Sequence, residues 1–82
     1  MSVDLKGKTC VVTGSAKSIG LGIVEMYVGL GARVAMIDID PEVTKQAGRL
    51  ASAGHTVRGY ILDITDQKAV LACFEDIAKN LG

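Results

Sequence analysis

The sequence predicts an α/β fold in which three parallel strands alternate with three helices in the order βαβαβα. Short apolar segments rich in β-branched residues occur at residues 8–13, 33–38 and 55–62. Each is followed by a segment in which apolar residues recur at three- and four-residue steps. The apolar runs are continuous rather than alternating, as in parallel strands that are covered on both faces. Such alternation of strands and helices implies a parallel sheet with right-handed crossovers.

Each predicted strand has an apolar centre. Residues 10–12 form the run Cys-Val-Val in the first strand, and residues 34–37 form the run Val-Ala-Met-Ile in the second. The third strand carries Val57 and the run Tyr-Ile-Leu at residues 60–62. Runs of this length, rich in β-branched residues, favour strands over helices.

The segments between and after the strands have helical periodicity, which places their apolar side chains along one face. The predicted faces are Ile19, Ile23, Tyr27 and Leu30; Val43, Ala47, Leu50 and Ala51; and Val70, Phe74, Ile77 and Leu81. Asp40, which precedes a proline, predicts the start of the second helix, and Thr65 predicts the start of the third. Gly31 and Gly54 predict where the first two helices end.

The composition indicates one globular domain over residues 1–82 and argues against several classes of partner. Nine basic side chains balance nine acidic ones, so the chain has no electrostatic footprint for nucleic acid or an anionic membrane. Charged residues interrupt every apolar stretch well before the length of about 20 residues that a membrane helix needs. The N-terminus lacks a signal-peptide pattern, and Cys10 and Cys73 have no metal-ligand spacing. We therefore expect a cytoplasmic protein with reduced thiols and no metal site.

A glycine-containing turn joins the first strand to the first helix. Residues 13–22 read Thr-Gly-Ser-Ala-Lys-Ser-Ile-Gly-Leu-Gly. A turn of small residues at this place lets a pyrophosphate approach the backbone, where the unpaired N–H groups and the dipole of the helix favour negative charge. We expect Gly14 to form the tight turn and Gly20 to allow the helix to approach the strand. Taken alone, the glycines are equally compatible with an ordinary loop between a strand and a helix.

A carboxylate stands at the predicted end of the second strand. Asp38 at this position would accept hydrogen bonds from both hydroxyls of an adenosine ribose. The alternative interpretation is a loop or helix-capping acid, as for Asp40. The joint occurrence of the turn, the helix and the strand-end acid favours a dinucleotide-binding, Rossmann-type fold.

The motifs resemble the opening of the short-chain dehydrogenases and reductases. Residues 5–8 (Leu-Lys-Gly-Lys) and residues 11–14 (Val-Val-Thr-Gly) are similar to the start of that family. Its turn, Thr-Gly-x-x-x-Gly-x-Gly, is matched at Thr13, Gly14 and Gly20. The resemblance extends over almost the whole chain and implies the first half of a doubly wound Rossmann fold that binds a nicotinamide dinucleotide.

A second stretch carries the same resemblance after the third strand. Residues 63–66 (Asp-Ile-Thr-Asp) are similar to the family's Asp-Val-Thr-Asp. The resemblance implies that Asp63 hydrogen-bonds the adenine ring and that the Ile64 backbone lies beside it, whereas the residues alone also fit an acid at a helix start. The expected cofactor-binding residues are Gly14, Ser15, Lys17, Ser18, Ile19, Gly20, Asp38, Ile39, Asp63 and Ile64.

One position departs from the family pattern. Ser18 stands where the middle glycine of the turn is expected. A Cβ there costs nothing if the backbone keeps a negative φ, and the hydroxyl would be able to donate to a phosphate, whereas a positive φ would favour glycine.

The same turn bears on the choice between NAD and NADP. Asp38 would repel a 2′-phosphate, and Ile39 after it supplies no compensating positive charge. Lys17 argues the other way, because a basic residue before the middle glycine position resembles NADP-preferring members of the family. We expect the carboxylate at the ribose to dominate and the cofactor to be NAD rather than NADP.

The chain lacks the residues that the family uses for catalysis. The resemblance leads us to expect a Tyr-x-x-x-Lys pair, a serine and an asparagine, with the tyrosine as general acid and base. Tyr27 and Tyr60 are not followed by lysine four residues later, and Asn80 lies outside the family's Asn-Ala-Gly context. We therefore expect no catalytic residue in this chain, which resembles a fragment. Such a fragment should self-associate or bind its missing C-terminal half.

Three functions remain open at this point. The first is the cofactor-binding portion of an oxidoreductase that transfers hydride between NAD and an alcohol or carbonyl substrate. The second is a non-catalytic nucleotide-binding or interaction module. The third is a methyltransferase-like fold, which the Thr13-Gly14 opening and the long spacing from Gly14 to Gly20 make less favourable.

Overall fold

The computed structural model describes residues 4–82, and its order of elements confirms the predicted βαβαβα fold. The elements are β1 (Thr9–Thr13), α1 (Ser18–Gly29), β2 (Arg33–Asp38), α2 (Glu42–Ser52), β3 (Val57–Ile61) and α3 (Gln67–Asn80). Residues 1–3, on which the signal-peptide prediction depends, lie outside the described residues. Within residues 4–82, no helix combines the length and the apolar character needed to cross a bilayer.

The three strands form one parallel sheet in the order β1-β2-β3. The central strand, β2, has the bounds that the sequence predicts, and Val34, Ala35, Met36 and Ile37 are at most 2% exposed. Helices cover both faces of this strand, which explains its continuous apolar run. β1 and β3 lie at the edges of the sheet in the described part of the chain.

Two apolar cores lie on opposite faces of the sheet. Successive strand residues point to opposite faces, so Val34 and Met36 face α1 and α2, whereas Ala35 and Ile37 face α3. The first core is the larger, and it also includes Val12 of β1. The chain is therefore a three-layer sandwich with the sheet in the middle.

The buried face of α1 agrees only in part with the predicted one: Ile23 and Tyr27 pack against the larger core, as expected. Val24 and Val28 are the buried residues of this helix, whereas Ile19 is 82% exposed. Because apolar residues lie almost all around α1, several stripes with helical spacing exist in the sequence, and only packing selects one of them. In α3 the prediction is also wrong for Phe74, which is 47% exposed beside the buried Cys73.

The predicted start of α2 is confirmed, although the helix begins at Glu42. The Oδ1 atom of Asp40 accepts a hydrogen bond from the Glu42 backbone N–H at 2.9 Å, which satisfies one of the unpaired donors at the helix start. The helix ends at a left-handed glycine, as predicted, since Gly54 has a φ of +99°. Gly31 ends α1 in the same way, with a φ of +93°.

The predicted cap of α3 is wrong by one residue. Asp66 caps the helix, because its Oδ1 atom accepts from the Ala69 backbone N–H at 3.2 Å. The hydroxyl of Thr65 instead donates to Asp63 Oδ1 at 2.7 Å. Both residues are good caps by type, so their neighbours decide which one takes the role.

β3 is shorter than the predicted segment 55–62. The backbone N–H of His55 donates to the Leu50 carbonyl at the end of α2, so His55 belongs to the helix terminus. At the other end, the Leu62 N–H donates to the Asp38 carbonyl at 2.9 Å, which keeps the chain beside β2 for one more residue.

Candidate functional site

A cleft of about 360 Å³ lies over the carboxyl ends of the three strands. It is lined by Thr13, Gly14, Ile37, Asp38, Ile39, Leu62, Asp63 and Ile64. The strands are parallel, so the residues that follow them meet at one edge of the sheet. Ligands of open α/β sheets bind at this edge, and the volume is within the usual range for small-molecule sites.

The turn between β1 and α1 is tied to the end of β2. Gly14 has a φ of +63°, in the left-handed region that glycine adopts without strain. Ser15 is fully buried, and its backbone N–H and hydroxyl both donate to the Ile37 carbonyl, at 3.3 and 3.4 Å. The Ser15 side chain therefore anchors the turn and does not line the cleft.

Gly20 brings the start of α1 against this turn. A Cβ atom at Gly20 would stand 2.0 Å from the carbonyl oxygen of Gly14, a distance that no side chain tolerates. The close approach that the sequence predicts for this glycine is present, and it is made to the first residue of the turn rather than to the strand itself. The contact sets the N-terminal end of α1 beside the end of β1.

Asp38 links the glycine turn to the loop before α2. Its Oδ2 atom accepts from the Ala16 N–H and its Oδ1 atom from the Asp40 N–H, both at 3.0 Å. A carboxylate can accept about four hydrogen bonds, so these two leave capacity for two ligand hydroxyls. Asp38 is half-buried at the wall of the cleft.

Asp63 lines the cleft at the neighbouring strand end, in a tight turn after β3. Its Oδ1 atom accepts from the N–H of Thr65 at 2.9 Å and from the hydroxyl of the same residue at 2.7 Å. The N–H bond first, and then the hydroxyl bond, lower the pKa of Asp63 below its ordinary value. The carboxylate is therefore held ionised, as an acceptor for donors in the cleft.

Comparison with known proteins identifies the family to which a chain with this geometry belongs. Residues 8–82 match the family described as short chain dehydrogenase. The chain belongs to this family. A methyltransferase-like fold is thereby disfavoured, and the resemblance inferred from Thr13, Gly14 and Gly20 is confirmed.

Relatives in the short chain dehydrogenase family share about a third of the chain's residues. Sorbitol dehydrogenase of Cereibacter sphaeroides is 38% identical over 78 residues, which are 95% of this chain and 30% of that protein. Oxidoreductase UcpA of Escherichia coli K12 is 35% identical over the same shares. The chain thus spans about 30% of the length of these relatives.

Solved structures of the family have the same fold over this region. The 2-keto-3-deoxy-D-gluconate dehydrogenase of Streptococcus agalactiae superposes with a TM-score of 0.84 at 28% identity, covering 96% of this chain and 30% of that one. A short chain dehydrogenase/reductase of Burkholderia phymatum, solved in complex with NAD, gives a TM-score of 0.88 at 24% identity. That match covers 96% of this chain and 28% of the other.

The departure from the family pattern at Ser18 has a structural cost. Ser18 has a φ of +56° and is the one non-glycine residue with a positive φ between residues 4 and 82. The left-handed conformation costs a residue with a Cβ about 1–2 kcal/mol, which glycine avoids. A glycine at this position, as in the family pattern, would adopt the same backbone conformation without this cost.

Lys17 does not line the cleft, and its side chain pairs with Asp40 in the loop before α2. Its Nζ atom lies 3.0 Å from Asp40 Oδ2. The hydrogen bond and the charge of Asp40 raise the pKa of Lys17. The Glu42 N–H, followed by Lys17, lowers the pKa of Asp40. Both groups are therefore held in their charged forms at neutral pH.

The structure brings together half of the predicted site residues. Those that line the cleft are Gly14, Asp38, Ile39, Asp63 and Ile64. Those that do not line it are Ser15, Lys17, Ser18, Ile19 and Gly20, which form the turn and the first turn of α1. Thr13, Ile37 and Leu62 also line the cleft, although they were not among the predicted site residues. Their signal was present, since Thr13 and Ile37 are among the last two residues of their strands and Leu62 directly follows β3.

Neither tyrosine lines the cleft. The hydroxyl of Tyr60 donates to Asp76, and burial, followed by this bond, raises the pKa of Tyr60 to about 12. Tyr27 packs against the larger apolar core.

We predict that Gly20→Ala destabilises the chain by about 3 kcal/mol or more, because the new methyl group overlaps the Gly14 carbonyl oxygen. Gly22→Ala is the matched control, since a Cβ there meets nothing within 4 Å and alanine has the higher helix propensity. Urea denaturation followed by circular dichroism measures both. Equal effects of the two substitutions would contradict the close approach.

We also predict that Ser18→Gly stabilises the chain by about 1 kcal/mol, because it removes the strain of a positive φ. Ser18→Ala keeps the Cβ and should bring no such gain. The urea midpoints of the two variants, each compared with that of the parent chain, test this prediction. A stabilising Ser18→Ala together with a neutral Ser18→Gly would place the backbone at negative φ.

Proposed function

We propose that the cleft binds the adenosine half of a nicotinamide dinucleotide, NAD rather than NADP. The chain would serve as the cofactor-binding portion of an oxidoreductase acting on an alcohol or carbonyl substrate. The observation that carries this proposal is the meeting of a glycine turn and two carboxylates, Asp38 and Asp63, at adjacent strand ends. Bound there, the cofactor would supply the hydride acceptor or donor.

Different residues of the chain would bind different parts of the cofactor. The turn from Gly14 to Gly20 presents backbone to a pyrophosphate, and the first N–H groups of α1 have no acceptor within the helix. Asp38 has acceptor capacity left for the ribose hydroxyls.

The adenine ring needs an apolar environment with a polar edge. Ile39 and Ile64, which line the cleft, are 66% and 60% exposed, so apolar surface is present for a planar base to cover. The ionised carboxylate of Asp63 accepts from the adenine amino group in this arrangement. The apolar surface and the acceptor together favour adenine over a charged ligand.

The preference for NAD follows from charge. A 2′-phosphate would lie against the carboxylate of Asp38, and Ile39 supplies no compensating charge. Lys17, the cation of the turn, is already paired with Asp40. A phosphate dianion would therefore meet net negative charge.

The comparisons support an oxidoreductase. The relatives include a sorbitol dehydrogenase and the D-threitol dehydrogenase of Mycolicibacterium smegmatis. Residues 1–82 contain no Tyr-x-x-x-Lys pair, so we assign cofactor binding to this chain and no proton transfer. We also propose a cytoplasmic location, because Cys10 and Cys73 are free thiols, which a reducing compartment maintains.

The ribose assignment is tested by Asp38→Ala combined with Ile39→Arg. We predict that this double variant shifts the ratio of the NAD and NADP dissociation constants toward NADP by about tenfold or more, because a repulsive charge is replaced by an attractive one. Isothermal titration calorimetry with both cofactors measures the ratio.

The matched control is Asp66→Asn, which removes a nearby acid outside the cleft lining and keeps an oxygen to cap α3. It should leave the ratio unchanged. An unchanged ratio in the double variant would remove Asp38 from the ribose site.

We further propose that the chain associates with itself or with the rest of its protein. β1 lies at a sheet edge in the described residues, and its Val11 is 40% exposed. On α3, Leu71 and Phe74 are 65% and 47% exposed. An unpaired strand edge and an exposed apolar helix face both favour association.

Size-exclusion chromatography with light scattering should therefore find species larger than a monomer. Leu71→Lys should move the distribution toward monomer, because it places a charge on the apolar face. Ala78→Lys, at an exposed small residue of the same helix, is the control for added charge. A monomeric parent chain that melts cooperatively would contradict the proposal.

A further inference from the structure

A ring of contacts joins the glycine turn to the loop before α2. The Ala16 N–H donates to Asp38, the Asp40 N–H donates to the same carboxylate, and Asp40 in turn holds Lys17, the neighbour of Ala16. Each contact is 3.0 Å long. The ring thus begins and ends in the turn, and it sets Lys17 close to the ribose carboxylate.

Asp40 is oriented within this ring by the start of α2. Its Oδ1 atom accepts from the Glu42 N–H at 2.9 Å, which leaves Oδ2 for Lys17. Asp40 is 35% exposed and is held by this bond, whereas Lys17 is 69% exposed and makes its contact through Asp40. The start of α2 therefore orients the Asp40 carboxylate, and through it the position of the Lys17 ammonium group.

Carboxylates from three positions act on Lys17. Its pKa is raised by the hydrogen bond to Asp40 and by the charge of Asp40, then by the charges of Glu42 and Asp38. A phosphate near Asp38 would have to compete with all three for the lysine. The strongest competitor is Asp40, because it alone makes direct contact.

We propose that Asp40 is a specificity-determining residue, which withholds Lys17 from a cofactor 2′-phosphate and so enforces a free 2′-hydroxyl. This inference rests on the proposed function, because it concerns the same ribose. Asp38 repels the phosphate directly. Asp40 acts through Lys17, by keeping the one cation of the turn in an ion pair.

The test uses the 82-residue chain and two probes of the adenosine half, 5′-AMP and adenosine 2′,5′-bisphosphate. Asp40→Asn keeps an oxygen for the Glu42 N–H but removes the charge that holds Lys17. The ratio of the two dissociation constants should move toward the bisphosphate by about threefold to tenfold in low salt. The shift should shrink as salt is raised.

Two matched variants separate this mechanism from a general loss of negative charge. Lys17→Gln added to Asp40→Asn should return the ratio to its original value, because the released cation is gone. Glu42→Gln removes a carboxylate that acts on Lys17 only at a distance, and it should produce a smaller shift. Asp40→Ser, which also caps a helix, should repeat the effect of Asp40→Asn if that variant fails to fold.

The outcomes distinguish this inference from the proposed function. If 5′-AMP binds and the Asp40 variants leave the ratio unchanged, the inference is wrong and the proposed site stands. A shift that persists without Lys17, or that Glu42→Gln matches, likewise overturns it. If the parent chain binds neither probe, both the site and the inference fall.

Discussion

The carbonyl oxygen of Gly14 and the α-carbon of Gly20 lie so close together that even a methyl group on Gly20 has no space. This contact brings the N-terminal end of α1 down onto the turn that leaves β1. Because the turn is also fastened to the Ile37 carbonyl through Ser15, the helix end, the turn and the end of β2 occupy fixed positions relative to each other. The turn and the end of β2 both line the cleft, so these backbone contacts fix the relative positions of two of its three sides.

Asp38 serves the fold and the proposed ligand with the same carboxylate. It accepts two backbone N–H bonds that hold the turn and the β2–α2 loop together, and it faces the cleft. A residue that only bound ribose would be free to vary with the cofactor. Because this one also joins two segments of backbone, a change of cofactor preference at Asp38 alters the scaffold as well.

The sequence is a good guide wherever burial determines the pattern. β2 has its predicted bounds because both of its faces are covered, so every residue from Val34 to Ile37 must be apolar. The lining residues at the strand ends are predictable for a related reason: parallel strands bring their carboxyl ends to one edge. The glycines that end α1 and α2 are equally readable, since they need a left-handed backbone.

Prediction fails where several choices are locally equivalent. α1 is apolar around most of its circumference, so its buried stripe is selected by the sheet, and Ile19 is exposed. Thr65 and Asp66 both suit a helix cap, and the bond from Thr65 to Asp63 decides between them. The pair of Lys17 and Asp40 could not be read at all, because it joins residues on different loops that only the completed sheet brings together.

The left-handed backbone of Ser18 bears on when the site forms as well as on its shape. A serine disfavours this conformation, so an isolated peptide of the turn would spend little of its time in it. In the folded chain, Ser18 lies between Ser15, which is bonded to the Ile37 carbonyl, and Gly20, which packs against the turn. The proposed phosphate site should therefore form together with the tertiary structure, and amide exchange in the turn should report the cooperative opening of the whole βαβ unit rather than local fraying.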